Sequence, residues 1–125
     1  MKKILVVDDE EDIREMLKSM LSDTGYDVIL ASDGKDALRK VYLMKPDLIL
    51  LDISMPEIDG SEVCFELKKK EATKQIPVII MTAMSDKDGQ FAGMRMIGGY
   101  PTFAKPFDWE ELLGTIREIL STGKK

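Results

Sequence analysis

The sequence has no histidine and one cysteine, Cys64. Without histidine there are no imidazole triads and almost no zinc sites, and a single cysteine excludes an intramolecular disulfide. A block of clustered basic residues is also missing. With a net charge of −5, direct nucleic-acid binding is not expected, because phosphate backbones are held by grouped Lys and Arg. The run Lys68-Lys69-Lys70 reads as a solvated helix end. No apolar stretch approaches a membrane span, and Met1-Lys2-Lys3 leads into a short strand pattern, unlike a signal-peptide core. A cytoplasmic location without membrane contact is the default expectation. What remains for chemistry is carboxylates, hydroxyls and lysines, in a chain of 125 residues that fits one domain able to bury a core without staples.

Four aliphatic residues, Leu48-Ile49-Leu50-Leu51, run straight into Asp52. An unbroken apolar run of this length bounded by turn residues predicts a strand buried on both faces. Ile4 to Val7 is a second such run and stops at Asp8-Asp9. Ile13, Met16, Leu17, Met20 and Leu21 then recur at helical spacing up to Gly25. A strand at Asp27–Ala31 is followed by an Asp33-Gly34 turn and a helix carrying Ala37, Leu38, Val41 and Tyr42, which Lys45-Pro46 ends. Beyond Asp52 lies a loop with Pro56 and Asp59-Gly60, then a helical stripe of Val63, Cys64 and Leu67. Cys64 on that stripe reads as a small buried hydrophobe. Pro77 opens a fourth strand that ends at Thr82.

From Ser85 to Gly99 the partial stripe of Phe91, Met94 and Ile97, weakened by glycines, predicts a short helix. Thr102–Ala104 is a brief strand ending at Lys105-Pro106-Phe107. Asp108 is placed to cap a last helix whose inner face is Trp109, Leu112, Leu113, Ile116, Ile119 and Leu120. Five strands alternating with five helices predict an α/β domain: a flavodoxin-like five-stranded parallel sheet, order 2-1-3-4-5, with helices on both faces.

In that order Asp8, Asp9, Asp52, Thr82 and Lys105 line up along the carboxyl edge of the sheet. Three carboxylates so close repel one another unless a cation joins them, and an oxygen-only ligand set suits Mg²⁺, with Mn²⁺ as an alternative. With Lys105 at the far end and the Thr82 hydroxyl placed to donate, the arrangement is a receptor for a small dianion around a nucleophilic carboxylate, which fits phosphoryl transfer to Asp52.

These residues resemble the receiver domain of two-component response regulators. The likeness is carried by Asp8-Asp9 after Val6-Val7, Asp52 with Met55-Pro56 and Asp59-Gly60, Met81-Thr82-Ala83, and Lys105-Pro106-Phe107, and it extends over essentially the whole chain, 1–125, as a single receiver with no effector domain. The resemblance implies that Asp52 takes a phosphoryl group from a sensor histidine kinase, a phosphotransfer protein or a small phosphodonor. It also implies that Asp9, Asp52 and the Ser54 carbonyl hold Mg²⁺, that Asp8 reaches it through water, and that Thr82 and Lys105 contact the phosphoryl group after a cis Lys105-Pro106 bond. Such a domain catalyses only its own phosphorylation and dephosphorylation. It acts through a downstream protein or a missing effector domain, as a monomer or a weak phosphorylation-dependent dimer.

Two departures stand out. Receivers usually carry an aromatic residue three positions before the lysine, where this chain has Thr102; Phe103 has the opposite strand phase and Tyr100 is displaced by Pro101. Paired acidic residues of one dimerising subgroup are replaced by Tyr100-Pro101. Met81, Met84, Met94 and Met96 suggest a stretch whose packing shifts on phosphorylation, and the apolar Met84 beside Ser54 suggests slow self-dephosphorylation. Among other functions, a haloacid-dehalogenase-type phosphohydrolase needs a second acid where Ser54 stands. A flavin-binding domain needs a hydroxyl- and glycine-rich loop where Asp8-Asp9-Glu10 stands. A phosphorylation-independent receiver-like interaction module would not need these residues at all.

Overall fold

The aliphatic runs form the middle of a sheet because only full burial on both faces satisfies them. A computed structural model describes residues 1–53, 60–82, 94–97, 99–105 and 107–122. Its elements are β1 (Lys3–Val7), α1 (Glu11–Asp23), β2 (Asp27–Ala31), α2 (Gly34–Met44), β3 (Leu48–Asp52), α3 (Gly60–Lys69), β4 (Val78–Thr82), β5 (Met94–Ile97), β6 (Tyr100–Ala104) and α4 (Trp109–Thr122). The sheet order is β2-β1-β3-β4-β6-β5. From β2 to β6 every pairing is parallel, so the expected 2-1-3-4-5 sheet is present with β6 in fifth place.

The difference lies at the far edge. Residues 94–97, expected within a helix, form a strand antiparallel to β6, with Ile97 paired to Tyr100 and Met94 to Phe103. The sparse stripe of Phe91, Met94 and Ile97 gave a helix little apolar face, and Gly99 at φ +86° supplies the positive φ that a tight hairpin needs. The remainder of that expected helix, at 85–93 and 98, lies outside the described residues. β6 also begins two residues earlier than expected. Its pairing with β4 starts at Thr102, so the N–H that Pro101 lacks is not missed by that ladder.

Alternation along the strands builds two cores. Ile4, Val6, Leu48, Leu50, Ile79, Met81 and Phe103 meet Leu17 and Leu21 of α1 and Leu112 and Ile116 of α4 on one face. On the other, Leu5, Val7, Ile49, Leu51 and Ile80 meet Ala37 and Val41 of α2 and Val63, Cys64 and Leu67 of α3. Helices therefore cover both faces, and each of the larger aliphatic side chains contributes about 1.5–3 kcal/mol by leaving water. Cys64 is buried as expected, and burial pushes its thiol pKa up. Tyr42, placed by periodicity on the inner stripe, is exposed and lies under the Lys70 ammonium, 5.3 Å from the ring centroid.

The helix ends follow local chemistry. Asp33 caps α2 by accepting the Asp36 N–H at 2.8 Å, and Asp108 caps α4 through the Glu110 N–H at 2.9 Å, each satisfying a donor that has no partner within the helix. Among the described residues no helix is long and apolar enough to cross a membrane.

Candidate functional site

All five parallel strands stop at the same edge, and the polar residues that end the apolar runs meet there. Asp52 is the last residue of β3 and Asp8 follows β1 directly. Because Val7 pairs with Leu51, the next residues on the two strands, Asp8 and Asp52, come level on neighbouring strands. Both are buried, at 0% and 2% exposure. Asp9 is exposed. One carboxylate oxygen from each of Asp8, Asp9 and Asp52 lies within 4.8 Å of the others.

Lys105 arrives from the end of β6. Its N–H donates to the Thr82 carbonyl at 2.8 Å, which continues the β4–β6 ladder by one bond and aims the side chain back across the edge. The ammonium sits 2.7 Å from Asp8 Oδ2, 3.3 Å from Asp52 Oδ2 and 3.7 Å from Glu10 Oε1. Thr82 is buried at the end of β4, one residue beyond Met81, which pairs with Asp52.

Asp8 is fixed from several sides. Its N–H donates to Ala31 O at 3.1 Å, its Oδ1 accepts the Glu10 N–H at 2.9 Å, and its carbonyl accepts from the Arg14 guanidinium at 2.7 Å. Burial pushes its carboxyl pKa up. The Lys105 and Glu10 hydrogen bonds offset that only in part, while the Asp52 charge adds to it. For Lys105 burial acts downward, but the hydrogen bond and charge of Asp8 and the charge of Asp52 outweigh it and hold the ammonium pKa above its ordinary value. The two directions agree physically: among the described residues the Lys105 ammonium faces an excess of carboxylate, so it stays charged while a buried acid among them binds its proton more tightly.

An excess of hard oxygen donors facing, among the described residues, one ammonium is the donor chemistry a divalent cation suits. Asp8, Asp9 and Asp52 fit such an ion. Of the residues expected from sequence, Asp8, Asp9, Asp52 and Lys105 are brought together, and Thr82 stands on the adjacent strand end. Ser54, Met55, Pro56, Asp59, Met84 and the Lys105-Pro106 bond lie outside the described residues. Thr102 is 1% exposed and donates to the Tyr100 carbonyl at 3.1 Å. Phe103 faces the α1–α4 core. Tyr100 packs against the α2–α3 core, hydrogen-bonded to Cys64 and with the Lys68 ammonium 5.0 Å from its ring centroid. Met81 is core and Met96 is exposed.

Two residues at the site escaped the sequence reading. Glu10 counted only as helix N-terminal charge, yet as N-cap of α1 it makes no side-chain cap hydrogen bond and turns toward Lys105. Arg14 drew no attention, although a cation one turn into the helix that follows an acidic strand end is the available signal.

Comparison with known proteins gives a consistent family. The profile described as the response regulator receiver domain matches residues 4–117. The alkaline phosphatase synthesis transcriptional regulatory protein PhoP of Bacillus subtilis is 42% identical over 119 residues, covering 95% of this chain and 48% of that protein. Protein PilG of Pseudomonas aeruginosa is 43% identical over 117 residues, covering 92% of this chain and 84% of that one. The chain thus spans about half the length of PhoP and of the probable transcriptional regulator ycf27 of Cyanophora paradoxa, 44% identical over 119 residues, which cover 95% of this chain and 48% of that protein. Among solved structures, the response regulator TrrA of Thermotoga maritima in complex with Mg²⁺-BeF superposes with a TM-score of 0.78 at 38% identity, covering 95% of this chain and 99% of that one. The chemotaxis protein CheY4 of Vibrio cholerae gives 0.80 at 32% identity, with 95% and 98% covered.

Proposed function

Since the chain belongs to the family of response regulator receiver domains, we propose that Asp52 is its phosphoacceptor in two-component signalling. The observation that carries this reading is the buried Asp52 carboxylate, level with Asp8 and 3.3 Å from the Lys105 ammonium. One Asp52 oxygen attacks phosphorus and forms a new P–O bond. The P–N bond of a histidine kinase phosphohistidine breaks, its electron pair leaves with the imidazole, which takes up a proton, and the product is an acyl phosphate. With acetyl phosphate the leaving group is acetate.

Asp8, Asp9 and Asp52, with the Ser54 carbonyl, would hold Mg²⁺ or Mn²⁺. That ion supplies neutralisation of the charge spread over the equatorial oxygens of the transferring group. Lys105 starts on Asp8 and Asp52 and shifts its hydrogen bonds to a phosphoryl oxygen as one arrives, while the Thr82 hydroxyl donates to another. The chain catalyses its own phosphorylation and dephosphorylation and turns over no separate substrate. Its partners are a sensor histidine kinase or phosphotransfer protein upstream and a protein or effector domain downstream, in the cytoplasm.

Intact mass after incubation with acetyl phosphate and Mg²⁺ tests this. Wild type gains one phosphoryl group, and Asp52→Asn and an EDTA-treated sample gain none. An equal gain by Asp52→Asn would refute the assignment.

A further inference from the structure

Arg14 touches no carboxylate of the acidic cluster in the described contacts. It donates to the backbone carbonyl of Asp8 at 2.7 Å from a half-buried position on α1. A peptide unit is planar, so the carbonyl of Asp8 and the N–H of Asp9 rotate as one body. Fixing that carbonyl fixes the plane from which Asp9 departs. Among the described residues nothing else does so as directly. The Asp8 N–H on Ala31 and the Asp8 carboxylate on Glu10 N–H and Lys105 anchor atoms before the plane, while Asp9 itself is exposed. Just past it, Glu10 leaves its N-cap role unfilled by its side chain, so the turn between β1 and α1 relies on the Asp8 and Arg14 side chains that reach its backbone.

We propose that Arg14 is a positioning residue for the cation site: by clamping the Asp8 carbonyl it sets the orientation of the Asp8-Asp9 peptide, and so directs the exposed Asp9 carboxylate toward Asp8 and Asp52. The inference rests on the reading of the cluster as a divalent-cation site.

The sign of the effect separates clamping from charge. Arg14 is a cation near three carboxylates. If charge alone mattered, removing it would lessen repulsion and tighten Mg²⁺ binding. A clamp gives the opposite result, since loss of a partner behind a metal ligand weakens metal binding by about 10- to 100-fold. Calorimetric Mg²⁺ titration of wild type, Arg14→Met, Arg14→Ala and Arg14→Lys is the experiment. Met keeps the length of the side chain without donor or charge, and Lys keeps both in a single ammonium.

Binding about 10-fold weaker in Arg14→Met and Arg14→Ala, with Arg14→Lys closer to wild type, is the expected result. At saturating Mg²⁺ the phosphorylation rate of the Met variant returns to near wild type. In metal-free protein the Asp9 amide resonance of the Met and Ala variants broadens from exchange of the freed peptide plane. That readout needs neither metal nor activity, and thermal melts identify a variant that simply fails to fold. Unchanged or tighter Mg²⁺ binding in a folded Arg14→Met overturns the proposal. If wild type itself binds no Mg²⁺, the reading of the cluster fails first, and the Asp9 amide still reports whether the clamp exists.

Discussion

Replacing Lys105 by methionine removes the cation that, among the described residues, bridges the two buried carboxylates and keeps most of the side-chain bulk. The Lys105 side chain is 13% exposed and those of its partners Asp8 and Asp52 are 0% and 3% exposed, so bulk water does little to screen the loss. Breaking a buried pair costs about 3–5 kcal/mol. There is a ceiling, because a stranded carboxylate can take up a proton. At pH 7, protonating an acid with an ordinary pKa near 4 costs roughly 4 kcal/mol, at about 1.4 kcal/mol for each pH unit. A loss of about 3 kcal/mol is therefore expected in metal-free Lys105→Met. For a domain of this size that lowers Tm by about 10 °C.

The pH dependence has a definite sign. Asp8 already has a raised pKa in the folded protein, and losing the ammonium raises it further. A folded state that holds a proton more tightly than the unfolded chain gains stability as pH falls through the folded pKa and loses it as pH rises. The gap between variant and wild type is thus widest at neutral pH and closes toward pH 4. Saturating Mg²⁺ closes most of it as well, and the variant binds Mg²⁺ more tightly than wild type because a competing charge is gone. Urea denaturation in EDTA and in Mg²⁺, each at pH 5 and pH 7, measures all of this. A metal-free loss below about 1 kcal/mol that does not change with pH would refute the picture of one ammonium holding an excess of carboxylate.

The same reasoning makes Asp8→Asn stabilising in the absence of metal, by about 1 kcal/mol, because one buried charge disappears, the amide oxygen still accepts the Glu10 N–H, and the Lys105 ammonium keeps Asp52 as its acceptor. Urea midpoints in EDTA should rise, the increase should shrink below the raised Asp8 pKa, and Mg²⁺ affinity should fall. Asp33→Ala removes the α2 cap and should cost about 1 kcal/mol by urea denaturation, with Mg²⁺ binding unchanged because α2 begins at the end of β2, outside the acidic cluster.

The strands were legible because burial on both faces demands a continuous apolar run, and a polar residue that ends such a run marks the edge of the sheet. Right-handed crossovers limit the strand orders, and the order 2-1-3-4-5 common to five-stranded sheets of this kind puts Asp8 beside Asp52. Residues 94–97 were misread for the complementary reason. Four residues carry too little periodicity to choose between helix and strand, and the choice is made by β6, a partner that local pattern does not see. Tyr42 shows the limit of a stripe: spacing gives the face of a helix, while the width of the buried zone depends on the neighbouring helix. Arg14 and Glu10 act through reach, a long side chain bending to a backbone carbonyl or an ammonium, and periodicity carries no information about reach.

Position 102 bears on how the site communicates with the rest of the domain. A ring there could turn between inward and outward positions, but Thr102 is short, buried and tied to the carbonyl two residues earlier in its own strand. Phe103, one residue on, is 1% exposed and packs in the opposite core. What connects the acidic edge to the outer strands is backbone. The Lys105 N–H is held by the Thr82 carbonyl, β4 is paired with β6 through Thr82 and Ala104, and β6 is paired with β5 through the hairpin at Gly99. A pull on Thr82 or Lys105 therefore acts on one hydrogen-bonded ladder that runs through β6 to β5.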